Sequence, residues 1–238
     1  MNKTMVVLTI SALVLAAEAA PERTSRRTRR GAEAAEEGGA SERDAKVNIE
    51  QFPKLGQTTC LAAPTVNGAS LIGKCYTKPR KWVVLEAKYS TLAKWQDQLT
   101  FTWHVLLETK SASEKDREGQ AKIAPYSYLT AAVSYANIPM GTHAASVVLP
   151  PSYLERYGEP KAVGLVVTNK DGKELAGDCD SQIRGIKPHT KFWEDNDIMD
   201  MKRKDGSPMI ERRQGLKDRS KTIWGLVNPN DYELVVEN

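Results

Sequence analysis

Apolar residues in this chain recur mostly at every second position, and that period limits the folds open to it more than any other feature. The clearest run is Leu99 to Glu108, LTFTWHVLLE. Leu99, Phe101, Trp103, Val105 and Leu107 fall on one side, with Thr100, Thr102, His104 and Glu108 on the other. That is the alternation of a strand with one face in a core and one in solvent. Trp82 to Tyr89 repeats it, with Val83, Leu85, Ala87 and Tyr89 inward. Leu129 to Asn137, His143 to Leu149 and the β-branched run Ala162 to Thr168 read as three more strands. The last runs into Asn169-Lys170-Asp171-Gly172, whose Asp-Gly predicts a hairpin with Lys173 to Ala176 returning. Thr222 to Val227 and Glu233 to Val236 read as short strands around Asn228-Pro229-Asn230.

Helical signals are few and short. In Pro151 to Gly158, Ser152 and Glu155 form a capping box and Gly158 with Pro160 stops the turn. A second short helix is expected over Phe192 to Met201. No long helix separates the strands, which argues against a parallel α/β sheet. The expectation is a mainly β chain, an immunoglobulin-like β-sandwich with insertions and one or two short helices. Such a sandwich takes about 100 residues, and residues 47–238 exceed that. The charged stretch Lys187 to Lys221, poor in periodic apolar residues, is the expected insertion around 187–221.

The two ends of the chain differ in material. Lys3, the apolar run Met5 to Ala17 and the small residues Ala17 and Ala19 have the three-part form of a signal peptide over residues 1–19. The run falls short of the roughly 20 apolar residues of a spanning helix, and no other stretch is apolar enough to span a membrane once the leader is removed. No Cys follows the cleavage point, and no prepilin-type junction opens a long hydrophobic helix. Residues 20–46 begin basic (Arg23, Arg26, Arg27, Arg29, Arg30), turn acidic (Glu33, Glu36, Glu37, Glu42, Asp44) and hold no Val, Ile, Leu or aromatic residue before Val47. A segment of that kind cannot bury enough apolar surface to offset its ordering entropy, so it reads as a disordered charged tether. The domain beyond carries 26 Lys+Arg against 23 Asp+Glu, too even a balance for a nucleic-acid partner.

Export bears on the cysteines. There are three, Cys60, Cys75 and Cys179, and a disulfide in an oxidising compartment leaves one over. Cys60 and Cys75 flank Pro64 and Val66-Asn67-Gly68, which favours their pairing; a loop of about 15 residues contributes on the order of 3 kcal/mol in the chain-entropy account. Cys179 stands between Asp178 and Asp180, whose charges disfavour its thiolate.

Catalytic chemistry is hard to assemble from what remains. His104, His143 and His189 lack the close spacing of a zinc site, and no G-x-S-x-G, P-loop or GxGxxG occurs. The run Glu194-Asp195-Asn196-Asp197 with Asp200 resembles no EF-hand loop. It reads as helix capping and solvated surface, and Phe192 and Trp193 beside it as core plugs. The sequence therefore supplies no catalytic residue, no cofactor-binding set and no metal ligands.

Two stretches carry a resemblance. KPHTKFWEDNDIM (Lys187 to Met199) and SVVLPPSYLERYGEPKAVGLVV (Ser146 to Val167) are similar to pilus-like exported proteins of Akkermansia-type Verrucomicrobia, encoded near type IV pilus genes. The resemblance implies an immunoglobulin-like fold and a role in pilus assembly or adhesion, with protein partners in the envelope or pilus and no defined site residues. The resulting expectation is a non-enzymatic structural or interaction module that is periplasmic, on the outer surface or secreted. Two alternatives come from other classes. One is a carbohydrate- or mucin-binding module presenting Trp95, Trp193 or Trp224 to host or mucin glycans; the other is a secreted hydrolase with an unrecognised site.

Overall fold

A computed structural model describes residues 46–56, 59–62, 80–109, 124–222, 224–225 and 234–235. The leader and all of the tether before Lys46 lie outside the described residues, as do Cys75 and the turn expected between it and Cys60. The chain is mainly β, and its described residues form nine strands in one sheet: β1 (Val47–Gln51), β2 (Thr59–Ala62), β3 (Lys81–Glu108), β4 (Tyr126–Leu149), β5 (Glu159–Asn169), β6 (Glu174–Ser181), β7 (Ile210–Arg213), β8 (Lys217–Asp218) and β9 (Leu234–Val235). Two short helices, α1 (Pro151–Tyr157) and α2 (Asn196–Met199), accompany it.

The length of β3 and β4 decides the architecture. The expected strands Trp82 to Tyr89 and Leu99 to Glu108 are parts of one 28-residue strand. Leu129 to Asn137 and His143 to Leu149 merge likewise into the 24 residues of β4. Tyr89 and Phe101 are both on β3, yet their ring centroids lie 4.7 Å apart. Twelve residues of straight strand would separate them by roughly 40 Å. The β3–β4 hairpin must therefore fold over on itself between them, and it does so where its register slips. Thr91 faces Gly141 and the next pair is Trp95 with Pro139, so β3 spends four residues where β4 spends two. A bulge of that kind bends a strand toward its shorter side.

Folding over makes a sandwich from one sheet. One layer holds β1 and β2, the first half of β3, the second half of β4 and β8; the other holds β6, β5, the rest of β3, the first half of β4, β7 and β9. An immunoglobulin-like sandwich keeps its layers as separate sheets, whereas here they are continuous through the corner. Between them lies the main core, with Leu85, Ala87 and Tyr89 from one half of β3 against Leu99, Phe101, Trp103, Val105 and Leu107 from the other. At the end opposite the corner, α1 carries the chain from β4 to β5. Its cap is the backbone of Pro150 with no side-chain hydrogen bond, so the expected Ser152/Glu155 box is not formed. Proline at the first helical position pre-sets φ, and Glu155 turns outward to Arg80 at 3.2 Å. Gly158, at φ +89°, lets the chain pass Glu108, whose carbonyl a Cβ would strike.

The hairpin after β5 follows its sequence signal. Asn169 Oδ1 accepts from the backbone N–H of Asp171 and Lys173, and Gly172 takes φ +78°. The return strand runs further than expected, to Ser181. At the other end, Thr222, Trp224 and Gly225 form a bend and turn rather than the expected strand, with Gly225 N–H donating to Thr222 O.

His104 is the largest departure. Alternation sends it away from the main core, but that outer side is not solvent. The stretch from Gln182 to Met209 lies across it, and Leu106, Tyr128, Ala162, Cys179, Ile186, Phe192, Met199 and Ile210 form a second apolar cluster there. His104 is 9% exposed. Phe192 is a core plug, as expected, while Trp193 is partly buried and packs against the cluster, and Asp195 caps α2 by accepting from Asp197 N and Ile198 N. The charge of this stretch hid its apolar anchors, which follow no strand or helix period.

Candidate interaction face

The corner of the hairpin is where apolar surface meets solvent. Leu92, Trp95 and Met140 are 53%, 60% and 63% exposed. All three lie at the register shift between the pairs Thr91–Gly141 and Trp95–Pro139, Trp95 paired and Leu92 and Met140 within the irregular segment. Local chemistry explains their position. Ala93 is still buried, but the inward side of β3 then runs past the end of the core, so Trp95 and Asp97 emerge. Leu92 falls on the outer parity of β3, and Gly141 at φ +141° and Asn137 at φ +57° accommodate the bend in β4. Asp97 binds Lys170 of the β5–β6 turn at 2.8 Å, both side chains exposed. That hydrogen bond and the lysine's charge draw the Asp97 carboxyl below its ordinary range.

A second concavity lies where β1 meets β6 across the layers. It encloses about 470 Å³ and is lined by residues including Glu50, Phe52, Lys54, Asp178, Cys179 and His189. His189 sits at φ +59° with its Nδ1 2.7 Å from Asp178 Oδ1. Leu55 N–H reaches Asp180 Oδ2 at 3.4 Å. The Cys179 thiol is pushed up to about 11, by burial first and then by the charges of Asp178 and Asp180. It is therefore protonated at neutral pH and a poor nucleophile. The sequence pointed to the aspartates; burial, the larger cause, came only with the covering stretch.

The other residues singled out are scattered. His143 is buried in β4, 5.4 Å from the Tyr89 ring, with Nε2 2.8 Å from Pro139 O. Of the three tryptophans named for glycan contact, Trp193 is stacked on His104 with centroids 4.2 Å apart, and Trp224 is half-buried with its indole nitrogen enclosed. Trp193 therefore offers no open platform, and Trp95 remains. Cys60 is exposed on β2 opposite Val83. The face missed in the sequence is the apolar corner itself. Its signal was Leu92 and Met140, two large apolar residues in otherwise polar stretches.

A protein-family model matches residues 42–215, which span the sandwich from β1 through β7 and leave out β8 and β9. The chain belongs to that family. A crystal structure of a protein from Akkermansia muciniphila shares the fold, with a TM-score of 0.54 at 23% identity, covering 81% of this chain and 94% of that one. The similarity to Akkermansia-type proteins thus holds at the level of fold. A comparison with curated proteins finds no match.

Proposed function

We propose that this member of the family is an exported, non-enzymatic interaction module of the cell envelope, associated with a type IV-like pilus through a protein partner held at the hairpin corner. The observation that carries the reading is the exposure of Leu92, Trp95 and Met140 where the β3–β4 register shifts. Exposed large apolar side chains that cluster mark contact surfaces, whereas single ones need no explanation. Aromatic and Met side chains on a rigid support are typical anchors of protein interfaces, because little ordering entropy is lost on binding. The leader-like residues 1–19 support export, and among the described residues no helix is long and apolar enough to cross a membrane. Against a hydrolase stand the protonated Cys179 and the burial of His104 and His143 in packing.

Trp95 also keeps the glycan reading alive. A sugar platform sets a ring among convergent hydrogen-bonding groups, and here Asp97 is engaged by Lys170. The protein contact fits better. Fractionation of the native host tests the proposal. The mature chain is expected outside the cytoplasmic membrane, beginning at Ala20 or within a residue or two of it. A cytoplasmic chain with an intact Met1 overturns it.

A further inference from the structure

The outer face of the second layer is closed by a stretch that stacks Trp193 on a histidine. His104, Gly164 of β5 and Thr130 of β4 are in register across three strands. Trp193 lies over this row. Its ring is parallel to that of His104 within 1°, at 4.2 Å, and occupies the space a Cβ on residue 164 would need, 1.9 Å from its Cζ3. From the side, His104 Nδ1 and the Tyr128 hydroxyl share a hydrogen bond of 2.6 Å. We propose that Gln182 to Met209 is an acid-sensitive cover, released from the outer face of β3, β4 and β5 when His104 takes up a proton.

The surroundings of the ring supply the reason. On β4 it meets Tyr128, whose hydroxyl Thr130 also reaches. On β5 the position opposite is Gly164, without charge. From the cover come Trp193 and the cationic Lys191, and from β7 comes Arg212, which stands 6.0 Å over the Tyr128 ring. Glu174 of β6 and Glu194 are engaged with Lys191, at 2.6 Å and 3.5 Å. The charges facing His104 are therefore positive or already spent on a cation. A neutral ring can share its hydrogen bond with Tyr128 in either direction, whereas an imidazolium only donates. The attraction of a cation to the Trp193 face offsets part of the penalty.

Burial, with a smaller effect from Lys191, brings the His104 pKa down from 6.5 to about 4. A group with a lowered basic pKa favours the closed form above its open-state pKa, and the closed form is lost as pH falls. The window runs from about 6.5 downward and levels off below about 4. Linkage between those two values raises the opening constant of the cover about 30-fold by pH 5. What opening uncovers is the apolar row Leu106, Tyr128 and Ala162.

Amide hydrogen exchange of the purified domain, corrected for intrinsic rates, reads this directly. Amides of 182–209 should lose protection between pH 7 and pH 5 while those of β3 and β5 keep theirs. His104→Phe retains a ring for Trp193 but cannot be protonated, and should abolish the pH dependence. An NMR titration of the wild-type histidines guards against a variant that does not fold. In the closed domain His104 should titrate well below 6.5, while the loss of protection sets in at higher pH, as linkage requires. Protection of 182–209 that is unchanged across this range, opening that persists in His104→Phe, or a His104 midpoint near 6.5 would each overturn the proposal.

Discussion

Replacing Gly164 with alanine tests how the cover is seated, and its cost can be worked from the geometry. The added Cβ would lie 1.9, 2.6 and 2.7 Å from Cζ3, Cη2 and Cε3 of Trp193, where ordinary carbon contacts are about 3.5–4.0 Å. The indole must therefore shift by more than 1 Å. Such a shift breaks its stack on His104 at 4.2 Å and its edge contact with Phe192 at 5.1 Å. Overpacking of this kind costs about 1–3 kcal/mol, and Tm falls by roughly 2–4 °C per kcal/mol in a domain of 150–250 residues. The decisive assay is a double-mutant cycle by chemical denaturation. With Trp193→Ala already in place the clash is gone, so Gly164→Ala should cost nothing, or stabilise slightly by reducing the entropy of the unfolded chain. The coupling should therefore be at least about 1 kcal/mol. Equal costs of Gly164→Ala in the two backgrounds would refute the placement of Trp193.

Trp103→Ala should lower stability by about 3–5 kcal/mol, since the side chain is fully enclosed in the main core. His104→Ala should cost about 1–3 kcal/mol from the lost stack and hydrogen bond, and a change under 0.5 kcal/mol in thermal denaturation would mean that the cover is not seated there. Cys179 should resist a maleimide reagent at pH 7 until the domain unfolds. The same thiol binds its proton more tightly in the folded chain, so stability should fall as pH rises from about 9 to 11; rapid labelling of the native protein contradicts this. Peptide mapping of the mature, oxidised protein should find Cys60 joined to Cys75, and a Cys179 bridge to either would refute that pairing.

The sandwich was more legible than the corner that creates it. Every odd position from Val83 to Ala93 and from Leu99 to Leu107 is buried, so the alternation of β3 keeps one parity across the fold-over. No Gly or Pro interrupts Lys81 to Glu108, which is evidence for a single strand. The polar run Lys94 to Gln98 hid that continuity, because a strand emerging from a core and a loop between strands are both polar. The corner itself depends on a two-for-four mismatch between partners far apart in sequence, and no local pattern encodes such a register. For the outer face, alternation placed His104 on the correct side but could not say what lay beyond it. Gly164 was the available clue, since a glycine inside a strand often marks a close approach. What approaches it is Trp193, 29 residues further along the chain. The capping box of α1 was misleading for a simpler reason: Pro150 and Pro151 start the turn by themselves.

The claim that the hairpin corner holds the partner is tested most directly by changing Leu92, Trp95 and Met140 together to Ser in the native host and measuring association with the isolated pilus and envelope fraction. More than half of each side chain is already in solvent, so stability should change by no more than about 0.5 kcal/mol per site. The account predicts a variant that is exported, folds and melts like the wild type, yet no longer co-sediments with that fraction. A folded variant that co-sediments as fully as the wild type would contradict it.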